Sequence, residues 1–313
     1  MEQQTQQKKS IKHILFEIYD KKYKQLLIIP FLILLFSLAQ ISFQIYSTGD
    51  FIKRDVSLKG GVTVTIPLNK NVNVAQVQKQ IAQQFPKNDV IVRSLRSTGT
   101  NVGIIVEADI DGIDKVQVQN LLNVIEISLK IDLSQVDYGI EIIGSSLGAS
   151  FFKESLIALA IAFLFMGLVV LIYFRTFVPS IAIILAAFSD MVVALAVINL
   201  LDVRIGTAGI AAFLMLIGYS VDTDILLTVR VLKRKEGTVM NRIISSIKTG
   251  MTMTVTAIIS TLVALLVTQS EVIRQIMLIL LIGLIADIFN TWIQNVGLLR
   301  LHIEKKAKKG III

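Results

Sequence analysis

The 313-residue chain has no cysteine. Disulfides, thiol nucleophiles and thiolate metal sites are therefore excluded, although the redox compartment is left open. Histidine is almost absent too. His13 and His302 both lie in basic flanks, so a histidine-based metal site is not expected. The chain also lacks a Gly-rich phosphate-binding loop with its lysine, a Ser-His-Asp arrangement and any internal duplication. These absences argue against an ATPase or a hydrolase. No catalytic residue, metal or cofactor is expected, and the protein is not read as an enzyme.

Charge is scarce as well. Only 17% of residues are charged against 54% hydrophobic, and mean hydropathy is +0.71, an apolar excess that one soluble core could not absorb. The net charge of +8 could suggest nucleic acid, but Lys and Arg collect beside apolar runs rather than on one soluble face, so no nucleic-acid partner is expected.

Six apolar runs have the length that a helix needs to span ~30 Å of hydrocarbon: residues 25–46, 154–174, 177–201, 205–229, 249–268 and 272–299. The first is too long for the apolar region of a signal peptide and reads as a retained anchor. Basic residues concentrate in the segment 1–24 (Lys8, Lys9, Lys12, Lys21, Lys22, Lys24), between the fourth and fifth runs (Arg230, Lys233, Arg234, Lys235, Arg242, Lys248) and in the tail 302–313 with Arg300 just before it. The positive-inside rule makes all three cytoplasmic. Both termini are then inside, in a multi-pass protein of the cell membrane. Topogenesis explains these basic runs without a specific lipid or RNA ligand, membrane lipids being the surroundings.

Residues 47–153 are too many for a loop and fall outside by this topology. Val62–Ile66 alternates as a strand. Val74, Val77, Ile81 and Phe85 share one face of a helix whose N-cap is Asn73. Strands at 90–92 and 102–106 flank the turn-rich Ser97–Asn101, a second helix covers 114–131, and a last strand falls in 136–143. This β-α-β-β-α-β order predicts a ferredoxin-like α+β domain. Gly144 and Gly148, among small residues at its exit, are candidates for a hinge or for a simple turn needing positive φ at one of them.

Four aspartates interrupt the apolar runs: Asp190, Asp222, Asp224 and Asp287. A carboxyl group at membrane depth costs several kcal/mol unless paired, hydrated or protonated, so it marks either an ion path or an interhelical hydrogen bond. Asp190 and Asp287 fall near the middle of their runs with no Lys or Arg at that depth, and favour the relay reading. Asp222 and Asp224 point to nearly opposite sides of one helix, Asp222 with Gly218 and Tyr219, Asp224 with Ser220 and Thr228. For this pair, relay and interhelical glue both stand. Thr252, Thr254 and Thr256 of the fifth run are expected to supply hydrogen bonds to them. Arg230 is expected at the cytoplasmic helix end, snorkelling to lipid, and Asn290 and Asn295 as packing hydrogen bonders.

Gly218-Tyr219-Ser220-Val221 running to Arg230 resembles the fourth-span signature of SecF, a family of protein-export membrane proteins in the RND superfamily. Asp190, Lys248-Thr249-Gly250-Met251-Thr252 and Gly60-Gly61 add to it, and the resemblance covers nearly the whole chain. Bacterial members read Asn-Asp-Thr where this chain has Asp222-Thr223-Asp224, and the segment Gly283–Trp292 also differs. Both departures are similar to the archaeal branch. The resemblance implies an α-helical membrane protein of six transmembrane helices, one RND-type half, with the ferredoxin-like domain between helices 1 and 2, the remaining five spans covering 154–301. It further implies a SecD-like partner, the Sec translocon channel and the translocating polypeptide as associates, and use of the proton-motive force. A scaffold without energy coupling and an RND transporter for lipids or small molecules are the alternatives.

Overall fold

The computed structural model describes residues 19–68, 72–97, 100–234 and 237–309. Within them six helical spans are long and apolar enough to cross a membrane. The first is α1, Tyr23–Thr48. A single turn, α2 (Val56–Lys59), leads into the sheet domain, where β1 (Gly61–Pro67), α3 (Val74–Gln84), β2 (Val90–Ser97), β3 (Thr100–Ala108), α4 (Lys115–Leu129) and β4 (Gly139–Ile143) follow in turn. The remaining spans are α5 (Ser145–Phe174), α6 (Phe177–Leu200), α7 (Thr207–Leu232), α8 (Val239–Val267) and α9 (Glu271–Phe289), the last continuing through a π turn (Asn290–Asn295) into α10 (Val296–Lys308).

The four strands lie in the order β2-β3-β1-β4, with β1 antiparallel to both neighbours and Val64 opposite Val106 on one side and Ile140 on the other. The expected β-α-β-β-α-β order is therefore present. Its hairpin turn falls partly on residues 98 and 99, outside the described residues. One sheet face carries Val62, Val64, Ile66, Ile104 and Val106 and is covered by Val77 and Ile81 of α3 and Leu121 and Ile125 of α4. Alternation on a pleated strand sends Thr63, Thr65 and Glu107 to the other face. Asn73 caps α3 by accepting from the Gln76 amide, and Asp114 caps α4 through the amides of Val116 and Gln117.

That second face looks onto the ends of α7 and α9 across a cavity of about 420 Å³. Ion pairs line it, Arg93 reaching Glu107 at 3.1 Å and Glu271 at 3.4 Å, and beside a neighbouring cavity Arg204 reaches Asp89 at 2.6 Å. Burial raises the Glu107 carboxyl above its ordinary range, against the pull of Arg93. Asp89 goes the other way, because Arg204 and Lys59 outweigh its partial burial and hold it low.

Three helices run past the apolar segments that announce them. α5 begins at Ser145 and α8 at Val239, and α9 with α10 extends to Lys308. At 30 residues α5 is about 45 Å long, more than the hydrocarbon thickness. Helix needs backbone bonding and not apolarity, so it continues through Lys153 and Glu154 and through the polar turn from Asn241 to Lys248. The positive-φ turn at Gly144 or Gly148 is corrected by this. Gly144 is the N-cap of α5 at φ −64 and Gly148 lies inside the helix, whereas Gly60 and Gly61, which lead into β1, do have positive φ. Gly148 is small for another reason: a Cβ there would stand 2.5 Å from the Gly60 amide nitrogen.

Candidate functional site, a buried carboxylate cluster

The cluster forms because α6 and α7 are the most enclosed spans, with 56% of the apolar window buried in each against 11% for α5 and 17% for α8. Ala186, Ala187, Ser189 and Ala194 make one side of α6 small enough for α7 and α9 to approach closely. Into that contact α6 delivers Asp190, α7 delivers Ser220, Thr223 and Asp224, and α9 delivers Asp287. None of these residues is more than 4% exposed.

Each carboxylate has partners from a different helix. Asp190 accepts from Asn290 Nδ2 at 2.7 Å on Oδ1 and from Ser220 Oγ on Oδ2. Asp287 accepts from Thr291 Oγ1 at 2.7 Å, and Thr223 Oγ1 lies 3.3 Å from both of its oxygens. Asp224 accepts on Oδ1 from Asn295 Nδ2 at 2.7 Å. Gln294 and Ser189 meet at 3.4 Å beside them. Among the described residues no basic side chain forms an ion pair with any of the three.

The π turn organises this. Its i→i+5 bonding brings residues five apart near one line along the axis, whereas an α-helix would hold them about 140° apart. Asn290 and Asn295 thus both face inward, with Thr291 and Gln294 between them, all buried. Trp292 packs its ring against Gly250 of α8, where a Cβ would sit 2.2 Å from a ring carbon.

Asp222 stands apart, exposed on the opposite face of α7. It lines a groove of about 510 Å³ between α7, α8 and α9, with Tyr219, Thr252 and Thr256, and Asp287 borders the same groove. The expected hydrogen bonds from α8 are not made. Thr252 donates to the Lys248 carbonyl and Thr256 to that of Thr252, each bonding its own helix, while Thr254 is buried without a partner. A hydroxyl that can reach the carbonyl four residues back takes that local bond first. Arg230 is not free to snorkel either: its guanidinium donates to the Ser245 carbonyl and to Thr249 Oγ1, both at 2.8 Å, tying α7 to α8.

The structure thus brings Asp190, Asp224, Asp287, Ser220 and Asn290 together and leaves Asp222 apart. Sequence reading missed Ser189, Thr223, Thr291 and Gln294. Asp287 and Thr291 are four apart on one helical face, a spacing that could have indicated the pair.

The family described as "Protein export membrane protein SecD/SecF, C-terminal" matches residues 123–305, more than half of the chain. The chain belongs to this SecD/SecF family. It is 35% identical to the protein-export membrane protein SecF of Methanocaldococcus jannaschii over 295 residues, covering 92% of this chain and 99% of the relative. With SecF of Pyrococcus furiosus it shares 34% identity over 299 residues, covering 96% and 97%. The fold is similar to the crystal structure of SecDF, a translocon-associated membrane protein from Thermus thermophilus, with a TM-score of 0.69 at 15% identity. That match covers 93% of this chain but 42% of the SecDF chain. Family and helices together make this a multi-pass membrane protein of the protein-export class.

Proposed function

We propose that this chain is an accessory subunit of the Sec protein-export machinery that works with a SecD-like partner and couples the proton-motive force to protein movement across the cytoplasmic membrane. It acts without covalent catalysis. The observation that carries the reading is the buried cluster itself: three carboxylates share one helix contact, held by hydroxyls and amides and, among the described residues, by no cation. In a medium of low dielectric such groups cannot all remain charged, so protons are the simplest neutralising species. Asp190 and Asp287 are the relay pair. Ser220 and Thr223 lie between them and can pass a proton by rotating a hydroxyl. The groove beside Asp287 is the route to outside water, with Asp222 at its edge. Both termini are cytoplasmic and the sheet domain is extracytoplasmic, following the basic segments.

The rival reading, a scaffold in which the same bonds only hold helices together, is favoured by the completeness of the bonding at Asp190. Export driven by a pH gradient in membranes that also hold SecD separates the two. An Asp190→Asn, Asp287→Asn double variant should assemble normally and lose gradient-dependent stimulation. Full stimulation in that variant would falsify the relay.

A further inference from the structure

The π turn takes one backbone oxygen away from its helical donor. In a regular α-helix the Val296 amide would bond the Trp292 carbonyl, four residues back. Here that amide reaches the Thr291 and Ile293 carbonyls instead, because the i→i+5 register has moved it on. Trp292 is buried, so water does not replace the lost donor. A distant residue does. Tyr19, ahead of α1, donates its hydroxyl to the Trp292 carbonyl at 2.6 Å across 273 residues of sequence.

The placement of Tyr19 is secured at several points along α10. Arg300 donates to the Tyr19 carbonyl at 3.3 Å and to Asp20 Oδ1 at 2.8 Å, and its guanidinium carbon lies 4.2 Å from the centre of the Tyr23 ring. Leu27 packs on Gly297, where a Cβ would stand 2.5 Å from a leucine methyl. The Tyr19 side chain itself packs against the apolar cluster of Leu227 and Val231 from α7, Ile243 from α8 and Val296. Phenylalanine would serve that packing equally well. Only the bond to Trp292 calls for the hydroxyl.

A buried carbonyl left without a donor costs more than a made hydrogen bond gains. Loss of the hydroxyl leaves the α9–α10 helix two courses: keep the π turn with a bare oxygen, or return the Val296 amide to Trp292 and regain regular helix. The second course turns Asn295 out of line with Asn290, and so away from Asp224, which it holds at 2.7 Å. Both weaken the turn.

We propose that Tyr19 is a positioning residue for the π turn: its hydroxyl satisfies the Trp292 carbonyl, and the segment ahead of α1 thereby holds Asn295 on Asp224. This role concerns where Asn295 stands and is the same whether or not the carboxylates carry protons. It does not rest on the relay.

Tyr19→Phe removes the hydroxyl and keeps the ring. Hydrogen exchange on the full chain in detergent should show residues 290–296 exchanging about tenfold faster in this variant, with the sheet domain unchanged. Thermal melts of a double-mutant cycle with Asn295→Leu then connect the two ends. The fall in Tm caused by Tyr19→Phe should be clearly smaller in the Asn295→Leu background, where the turn is freer to return to regular helix. Unchanged exchange in 290–296, or faster exchange spread evenly over the six spans, overturns the proposal. Additive falls in Tm overturn it too, since Tyr19 would then only pack. Should Tyr19→Phe fail to fold, Asp20→Asn decides: it weakens only the ion pair that seats Tyr19 and should quicken exchange in the same residues. No change there would reject the role.

Discussion

Asn290 and Asp190 meet at 2.7 Å across the contact of α6 and α9, a hundred residues apart in sequence and both enclosed. The amide is the first residue of the π turn, so the bond reports the register of α9 as well as the state of the carboxylate. Replacing Asn290 with Leu removes one of the two donors on Asp190. Interhelical hydrogen bonds in membranes are worth about 0.6–1.7 kcal/mol, and a carboxylate left short of a donor puts the loss at the upper end. Asn290→Leu should therefore lower the melting temperature of the purified protein by a few degrees. In an Asp190→Leu background the same change should have almost no further effect. Additive losses in that double-mutant cycle would mean that the bond is not formed.

Gly148 and Gly60 predict a steric effect of similar size with a different signature. A Cβ on Gly148 meets backbone atoms of Lys59 and Gly60, at 2.9 and 2.5 Å, and these cannot rotate away as a side chain would. Gly60, at φ +87 and ψ 164, occupies a conformation essentially restricted to glycine. Gly148→Ala should destabilise by about 1–3 kcal/mol and loosen α2 from α5, seen as faster hydrogen exchange in residues 56–60. Gly144→Ala, with nothing within 4 Å and an ordinary φ, should be nearly silent. Equal effects at both positions would reject this account.

Asp89 links the sheet domain to the α6–α7 connection through Arg204 and to α2 through Lys59. Its carboxyl is held below the ordinary value of 3.8, so its contribution is fully present above that value and fades as pH falls through the lower folded-state value. The side chain is 42% exposed, which limits the gain to under about 1 kcal/mol. Asp89→Asn should melt slightly below the native protein at pH 7. That gap should close on acidification below the ordinary carboxylate value, as the native carboxyl itself takes up a proton. A gap that widens in acid contradicts the assignment.

The sheet domain has its own apolar core, in which every buried member lies between Val62 and Leu133. Its opposite face is polar through Thr63, Thr65, Arg93 and Glu107. A soluble fragment of residues 55–143 should accordingly fold alone and melt cooperatively. A far-UV dichroism spectrum of random coil would show that the domain needs the helices beneath it.

Features that depend on short-range periodicity were legible in the amino-acid order. Continuous apolarity located the six spans, alternation and 3.6-residue spacing located β1 and α3, and Asn73 marked a helix start, because each signal lies within a few residues of the structure it specifies. The acidic positions were legible for the same reason, as charges out of place in apolar runs. Tertiary structure alone decided what those acids meet. Asp190 finds Asn290, Asp224 finds Asn295, and Asp222, only two residues from Asp224, faces away from both. Helix ends such as Ser145 and Val239 and the π turn at Asn290–Asn295 were likewise hidden, since neither polar helical turns nor a one-residue change of register alters hydropathy. Arg230 was misread for a related reason: a helix-end arginine faces lipid or protein according to where the next helix packs, and here α8 places Ser245 and Thr249 within its reach.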